Sequence, residues 1–253
     1  MSEIIGQPRP DKEILESREI PRNLSEVEDV VSEIDLQHFF EALYRNYNDQ
    51  ATTSAEANKR QAAITAKKAK QKLEETSGKK YYYAISDTDS VETVATGFLD
   101  IVEPDKGQSQ GWIKFLTVNS ELRGRGLAAK IKSRIEKTAR DKGCDRLNCT
   151  VLADNPLGLE VELKDEFIFT DFFSEHGGFK FFGYKRLDGV EDADRKKGPL
   201  GEMKEVAMSD TSALKKMVDQ DAKEKWAVID IKNLGDKKNN DPDNWILILE
   251  KMT

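Results

Sequence analysis

The stretch Leu116-Thr-Val-Asn-Ser-Glu-Leu-Arg-Gly-Arg-Gly-Leu-Ala128 decides how the rest of the chain is read. It opens on the end of Trp112 to Val118, a run rich in apolar and β-branched residues that suits a strand. It closes on Leu127, after which Ile131 and Ile135 recur at helical spacing until Gly143, placed where helices end on glycine. Gly124 and Gly126 lie where strand gives way to helix. The first amides of a helix have no intrahelical partner, and the helix dipole turns its positive end toward them, so such a turn attracts anionic oxygens. With no β-carbon in the way, phosphate oxygens can reach the backbone N–H groups. Arg123 and Arg125 flank the turn and can add charge-assisted contacts.

Downstream, Leu147, Cys149 and Val151 alternate with Asn148 and Thr150, which completes a strand, glycine turn, helix, strand unit. Upstream, Tyr81 to Ile85 and Val91 to Val102 read as a hairpin turning at Ser86 to Ser90; with the strand from Trp112 they form an antiparallel half-sheet. Beyond Asn155 the reading is an acidic insertion, Pro156 to Asp165, then a short aromatic helix from Thr170 to His176 stopped by Gly177-Gly178, then a strand from Phe179 to Tyr184. Residues 1–24 read as a flexible segment. Ser25-x-x-Glu28 has capping-box spacing and predicts helix onward to Tyr47, and Ala55 to Glu75 reads as a weakly anchored helix. Within 188–243, an insertion that starts as a charged excursion from the core, Ser209-Asp210 can cap a helix and Trp226 to Ile231 looks extended. Trp245 to Glu250 reads as a strand buried on both faces. With no internal repeat, residues 25–253 are taken as one elaborated domain whose core is 80–187 and 244–253.

Composition bounds the function. Among 253 residues, 40 basic side chains stand against 47 acidic ones, a net charge of −7 that gives phosphate-backbone binding no global support, so nucleic acid is disfavoured. No apolar run reaches the ~20 residues of a membrane span, and the first residues lack a signal core, so no membrane association is expected and the location reads as cytoplasmic. Two histidines and two cysteines offer no spacing for a metal, and none is expected. The basic run of Lys59, Arg60, Lys67, Lys68, Lys70 and Lys72 is a solvated helix face or a docking surface for an acidic partner. Gly124, Gly126 and Ala129, with Asp145, also fit a dinucleotide fingerprint, but that motif needs successive parallel βαβ units and here follows meandering strands.

Leu116-Thr-Val118 followed by Arg123-Gly-Arg-Gly-Leu-Ala128 resembles the R-x-x-G-x-A acetyl-CoA-binding motif of the GNAT superfamily of N-acetyltransferases. Val151 to Asn155, Phe172 to Phe179 and the closing Trp245 to Lys251 are similar to that family's next strand, its aromatic helix and its last strand. The resemblance implies an α+β fold, a mixed, splayed central sheet flanked by helices, with acetyl-CoA in the gap between the strands ending at Val118 and Leu152. It implies that amides of Arg123, Gly124, Arg125, Gly126, Leu127 and Ala128 bind the pyrophosphate, and that Leu116, Thr117, Val118 and Asn155 contact the pantetheine arm. A backbone N–H near Leu116 or Val118 would polarise the thioester carbonyl.

Acetyl transfer to an amine needs a neutral amine and a departing thiolate that is protonated or stabilised. The family's thiolate-facing tyrosine lies five positions before the phenylalanine of a Gly-Phe pair, which against Phe179 is Ser174; Tyr184 is a second candidate. A glutamate that serves some members as base corresponds to Trp112, leaving Glu103, Asp100, Glu175 and His176 as replacements. The acidic run Glu160 to Glu166 suggests a cationic amine as acceptor. The implied activity is acetyl transfer from acetyl-CoA to a primary amine of a protein, peptide or small molecule by direct attack. The alternative is a catalytically weak acyl-CoA-binding regulatory protein on the same fold. The large extensions could bury each other or the second subunit of a homodimer.

Overall fold

The computed structural model describes residues 24–30, 32–47, 55–75, 79–90, 92–104, 108–175, 178–188, 202–218, 226–235 and 242–251. In chain order its elements are β1 (Glu28–Val30), α1 (Glu33–Tyr47), α2 (Ala55–Glu75), β2 (Lys80–Asp87), β3 (Glu92–Val102), β4 (Gln110–Val118), α3 (Leu127–Asp141), β5 (Arg146–Leu152) and α4 (Pro156–Lys164). They continue with β6 (Ile168–Glu175), β7 (Gly178–Arg186), β8 (Met203–Ala207), α5 (Thr211–Val218), β9 (Trp226–Asn233) and β10 (Trp245–Lys251). Ten strands form one sheet in the order β1-β2-β3-β4-β5-β7-β6-β9-β10-β8. The fold is α+β with a mixed sheet: β4 and β5 run parallel, and the other paired neighbours run antiparallel.

Several expected elements change identity. Residues 168–175 are strand, not helix: the apolar run carries no decisive period, and Phe172 finds a cross-strand partner in Phe181. The acidic stretch after Asn155 is a helix. Asn155 Oδ1 accepts the N–H of Gly158 at 3.0 Å and Pro156 takes the first turn, where its missing N–H costs nothing. Ser25 does not start the first helix; its Oγ accepts the N–H of Ser86 and Glu28 lies in β1, while Ser32 caps α1 by accepting the N–H of Asp35 at 3.0 Å. The last strand buries only Trp245, Leu247 and Leu249, an alternating pattern. The segment 188–243 supplies β8 and β9 to the common sheet and α5 to the core beside it; its residues 189–201 lie outside the described ones, as do 1–23. Cys144 precedes β5 and Cys149 lies in it, and both are free and buried.

The sheet has two apolar layers. On one face α3, α4 and α5 pack through Ile131, Ile135, Leu159 and Leu214 against Tyr83, Leu99, Leu147 and Phe181. On the other face, Phe39, Phe40 and Leu43 of α1 and Ala62, Ala66 and Ala69 of α2 cover Tyr82, Ala84 and Phe98. Alanines let the two helices approach closely, and aromatic rings supply the buried area. Gly97 explains how near α3 comes to the sheet: a β-carbon there would lie 2.4 Å from Ile131 Cγ2.

Candidate functional site

β4 and β5 pair only through Gln110–Arg146, Gly111–Leu147 and Trp112–Asn148. Beyond that, β4 stays with β3 as far as Val118 and β5 stays with β7 as far as Leu152, so a wedge opens between neighbours of one sheet. The wedge begins where β4 is irregular. Thr96 faces Thr117 and Phe98 faces Lys114, which leaves Phe115 and Leu116 opposite the single residue Gly97. Phe115 takes φ 56° to make this bulge, a left-handed conformation that a bulky residue adopts only where its surroundings enforce it. The buried Thr96 hydroxyl anchors it, 3.1 Å from the Phe115 carbonyl oxygen and 3.0 Å from Thr117 Oγ1.

At the open end of the wedge the chain makes a short 3₁₀ turn, Ser120–Leu122, capped by the side chain of Asn119, and enters α3 through Gly124 and Gly126. Both glycines have φ 78°, and nothing lies within 4 Å of where their β-carbons would be. Glycine is needed there for backbone conformation, since a β-carbon at that φ costs roughly 1–2 kcal/mol. The first i−4 bond of the helix comes only at Lys130, whose N–H reaches the Gly126 carbonyl at 3.0 Å, so the preceding helix amides have no carbonyl one turn back. Arg123, Gly124, Arg125 and Gly126 are exposed, and Arg123 Nε donates to the Val118 carbonyl at 3.3 Å. The arrangement suits an extended ligand with a diphosphate at the glycine turn and an arm running into the wedge.

At the vertex one row of residues crosses the sheet: Lys80, Asp100, Trp112, Asn148 and Tyr184. Asp100 takes Lys80 Nζ at 2.6 Å and Lys114 Nζ at 2.9 Å. Burial raises its carboxyl, but hydrogen bonds from the two lysines outweigh that and hold it below its ordinary value. Asn148 is buried and donates to Gln110 Oε1 at 3.1 Å. The Arg146 guanidinium lies 5.8 Å from the centre of the Tyr184 ring.

The residues expected to hold acetyl-CoA therefore converge: Leu116 to Val118 line one lip, and Arg123 to Ala128 turn at its end. Thr117 spends its hydroxyl on Thr96 and on Asn46 Nδ2 of α1, and Asn155 spends its side-chain oxygen on capping α4. The expected chemistry residues do not converge. Ser174 sits exposed on β6, two strands beyond β5, roughly 10 Å away at normal strand spacing. Glu103 follows the far end of β3, away from the bulge, and pairs at 2.7 Å with Lys79. His176 is outside the described residues. Of the six candidates, Tyr184 and Asp100 stand in the row at the vertex, and Glu175 closes β6 beside Ser174.

Glu162, read from sequence as part of an acid run facing the substrate, instead lies in a buried ion pair. The helix after β5 is α4, which ends at Lys164 and turns through Asp165 and Glu166, where Glu166 has φ 67°, the conformation a glycine would supply. Five positions before Phe167 is Glu162. Its carboxylate lies 2.8 Å from Lys132 Nζ of α3, both side chains buried, and burial pushes the Glu162 carboxyl above its ordinary value. Asn155-Pro156 was the available signal for this helix. The glutamates Glu160 and Glu162, read as facing a cationic substrate, are engaged with Lys164 and Lys132. Among the described residues no cluster of His, Cys, Asp or Glu could hold a metal, and no helix is long and apolar enough to cross a membrane.

Residues 39–158 match the model of the acetyltransferase (GNAT) family. Among solved structures, the chain is similar to an acetyltransferase of the GNAT family from Streptococcus pneumoniae, at 12% identity over 65% of this chain and 99% of that one, TM-score 0.50. It is also similar to the ribosomal-protein-S5-alanine acetyltransferase from Vibrio fischeri, at 15% identity over 66% of this chain and 94% of that one, TM-score 0.49. A third is a chain of the NatC complex bound to Gag peptide and CoA, at 16% identity over 64% of this chain and 99% of that one, TM-score 0.48. At such identities the likeness to the Streptococcus pneumoniae protein establishes the fold alone. No curated protein matches the chain.

Proposed function

With residues 39–158 matching the model of the acetyltransferase (GNAT) family, we propose that this protein transfers an acetyl group from acetyl-CoA to a primary amine by direct attack in a ternary complex. The observation that carries the reading is the wedge between β4 and β5 opening onto the amides of the Gly124–Gly126 turn. Acetyl-CoA supplies an activated acyl carbon and a thiolate leaving group. The amides from Arg123 to Ala128 hold its diphosphate, and the arm pairs with Leu116 to Val118 like an added strand. A backbone N–H at the bulge, near Leu116, donates to the carbonyl oxygen as negative charge builds there.

The acceptor nitrogen gives its lone pair to the acyl carbon and later loses a proton, while the sulfur keeps the electrons of the broken bond and takes one up. Tyr184 is the described candidate for moving protons on the acceptor side. Asp100, held ionised by Lys80 and Lys114, is a weak base. The Glu162–Lys132 pair takes the sequence position of the thiolate-facing tyrosine and is the candidate partner of the departing sulfur.

Free-thiol release over a panel of amines and peptides tests the reading, together with Gly126→Trp. That variant should remain folded and lose acetyl-CoA affinity, and unaltered affinity would contradict the assignment. A second reading, a GNAT-fold binding protein with little turnover, draws on the restrained Asp100 and the absence of a tyrosine at position 162. Tight CoA binding without thiol release would favour it.

A further inference from the structure

Among the described residues, the sheet face that carries Trp112 is only partly covered. Here α1 packs on β3 and β4, whereas the helices packed on β5, β6 and β9 lie on the opposite face. On the open side, Trp112, Lys114 and Phe115 of β4 face Thr150 and Leu152 of β5 and Phe182 of β7 around the mouth of the wedge. The Trp112 and Phe182 rings meet at 5.6 Å, and Phe115, 39% exposed, stacks on Phe98. These rings form an apolar wall beside the place where the acetyl group would be presented.

Lys114 stands directly before the bulge residue. Its Nζ is 2.9 Å from Asp100 Oδ2 and 6.0 Å from the centre of the Trp112 ring, while Lys80 Nζ takes Asp100 Oδ1 at 2.6 Å. Two ammonium groups thus share one carboxylate and leave a unit of positive charge. The Lys114 side chain is 42% exposed and that of Asp100 15%, so the surplus is presented through Lys114. A cationic acceptor would meet like charge here, and a carboxylate would meet an ammonium group already positioned by Asp100 and Trp112.

We propose that the acceptor is a primary amine carrying a carboxylate on an aromatic or apolar body. Lys114 receives the carboxylate, and Trp112, Phe115 and Phe182 take the body. This rests on the acetyltransferase reading and narrows it, replacing the cationic acceptor suggested by residues 160–166. The chemistry can come from a free amino acid or from the N-terminus of an acidic peptide.

The test is kcat/KM for thiol release with L-phenylalanine, L-phenylalaninamide, spermidine, and two hexapeptides that differ only in Asp or Lys at the second residue. The expected result is a preference of about tenfold or more for the acid over its matched amide, or for the Asp over the Lys peptide, the size of one charge-assisted contact. The arm that shows it identifies the source. Lys114→Gln should bring that ratio near one, and Lys114→Arg should keep it. If CoA binds by calorimetry but neither the acid nor the Asp peptide is preferred over its matched partner, if spermidine is preferred over both, if the ratio survives Lys114→Gln, or if no acceptor turns over, the acceptor proposal fails alone. If CoA does not bind, the acetyltransferase reading fails with it.

Discussion

Lys132 Nζ lies 2.8 Å from Glu162 Oε2 and ties helix 127–141 to helix 156–164 through side chains only 5% and 9% exposed. Asp165 shares the ammonium at 2.8 Å, and the same Nζ lies 5.2 Å from the centre of the Phe167 ring. Removing one member of a buried pair strands the other charge, which typically costs about 3–5 kcal/mol, whereas removing both together costs far less. Lys132→Met strands the buried Glu162 and should lower stability by roughly that amount, Glu162→Gln should cost less because Asp165 still holds the ammonium, and the double variant should recover much of the Lys132→Met loss. Urea unfolding of the three proteins checks this. Single variants within ~0.5 kcal/mol of the parent would show that the pair has little structural weight.

Asp100 makes a prediction about acid. Its carboxyl is held below the ordinary 3.8, so its contribution to stability is fully present above that value and lost as the pH falls through the lower folded-state value. Unfolding free energy should decline more steeply below about pH 4 in the parent than in Asp100→Asn. Parallel acid limbs in the two proteins would count against the Lys80–Asp100–Lys114 arrangement.

Gly97 tests how closely α3 sits on the sheet. An added β-carbon 2.4 Å from Ile131 Cγ2 must push the helix or the rotamer aside, an overpacking that costs roughly 1–3 kcal/mol. Gly97→Ala should therefore lower the urea midpoint, and Ile131→Ala, which removes the γ2 methyl, should cost less in the Gly97→Ala protein than in the parent. Equal midpoints for Gly97→Ala and the parent would contradict this packing.

The cysteines should be inert. Burial, then the Asp145 charge, pushes the Cys144 thiol up to about 11, and burial, then Glu162, pushes Cys149 well above its ordinary value. An aromatic disulfide reagent at neutral pH should label neither in the native protein and both after denaturation. Rapid labelling of the native protein would place at least one thiol in solvent.

The legible parts of this fold are those set by local chemistry. The glycine turn, the strand before it and the helix after it follow from nearby residues, and so do the first hairpin and the cap that Asp210 Oδ1 gives the Ala213 N–H. What escaped was decided by distant partners. Residues 168–175 became strand because Phe172 and Phe173 pair with Phe181 and Lys180. Glu162 read as an acid facing the substrate because its partner Lys132 lies 30 positions away. The wedge is expected from the resemblance, but the bulge at Phe115 is not, since a left-handed phenylalanine leaves no mark in composition or period.

The central claim is that the main chain around Gly124 and Gly126 grips a diphosphate. A crystal structure of the protein with CoA tests it most directly. The account predicts pyrophosphate oxygens within hydrogen-bond distance of the amides between Arg123 and Ala128, with the pantetheine arm between β4 and β5. A CoA molecule bound elsewhere, or a turn left empty at saturating CoA, would contradict it.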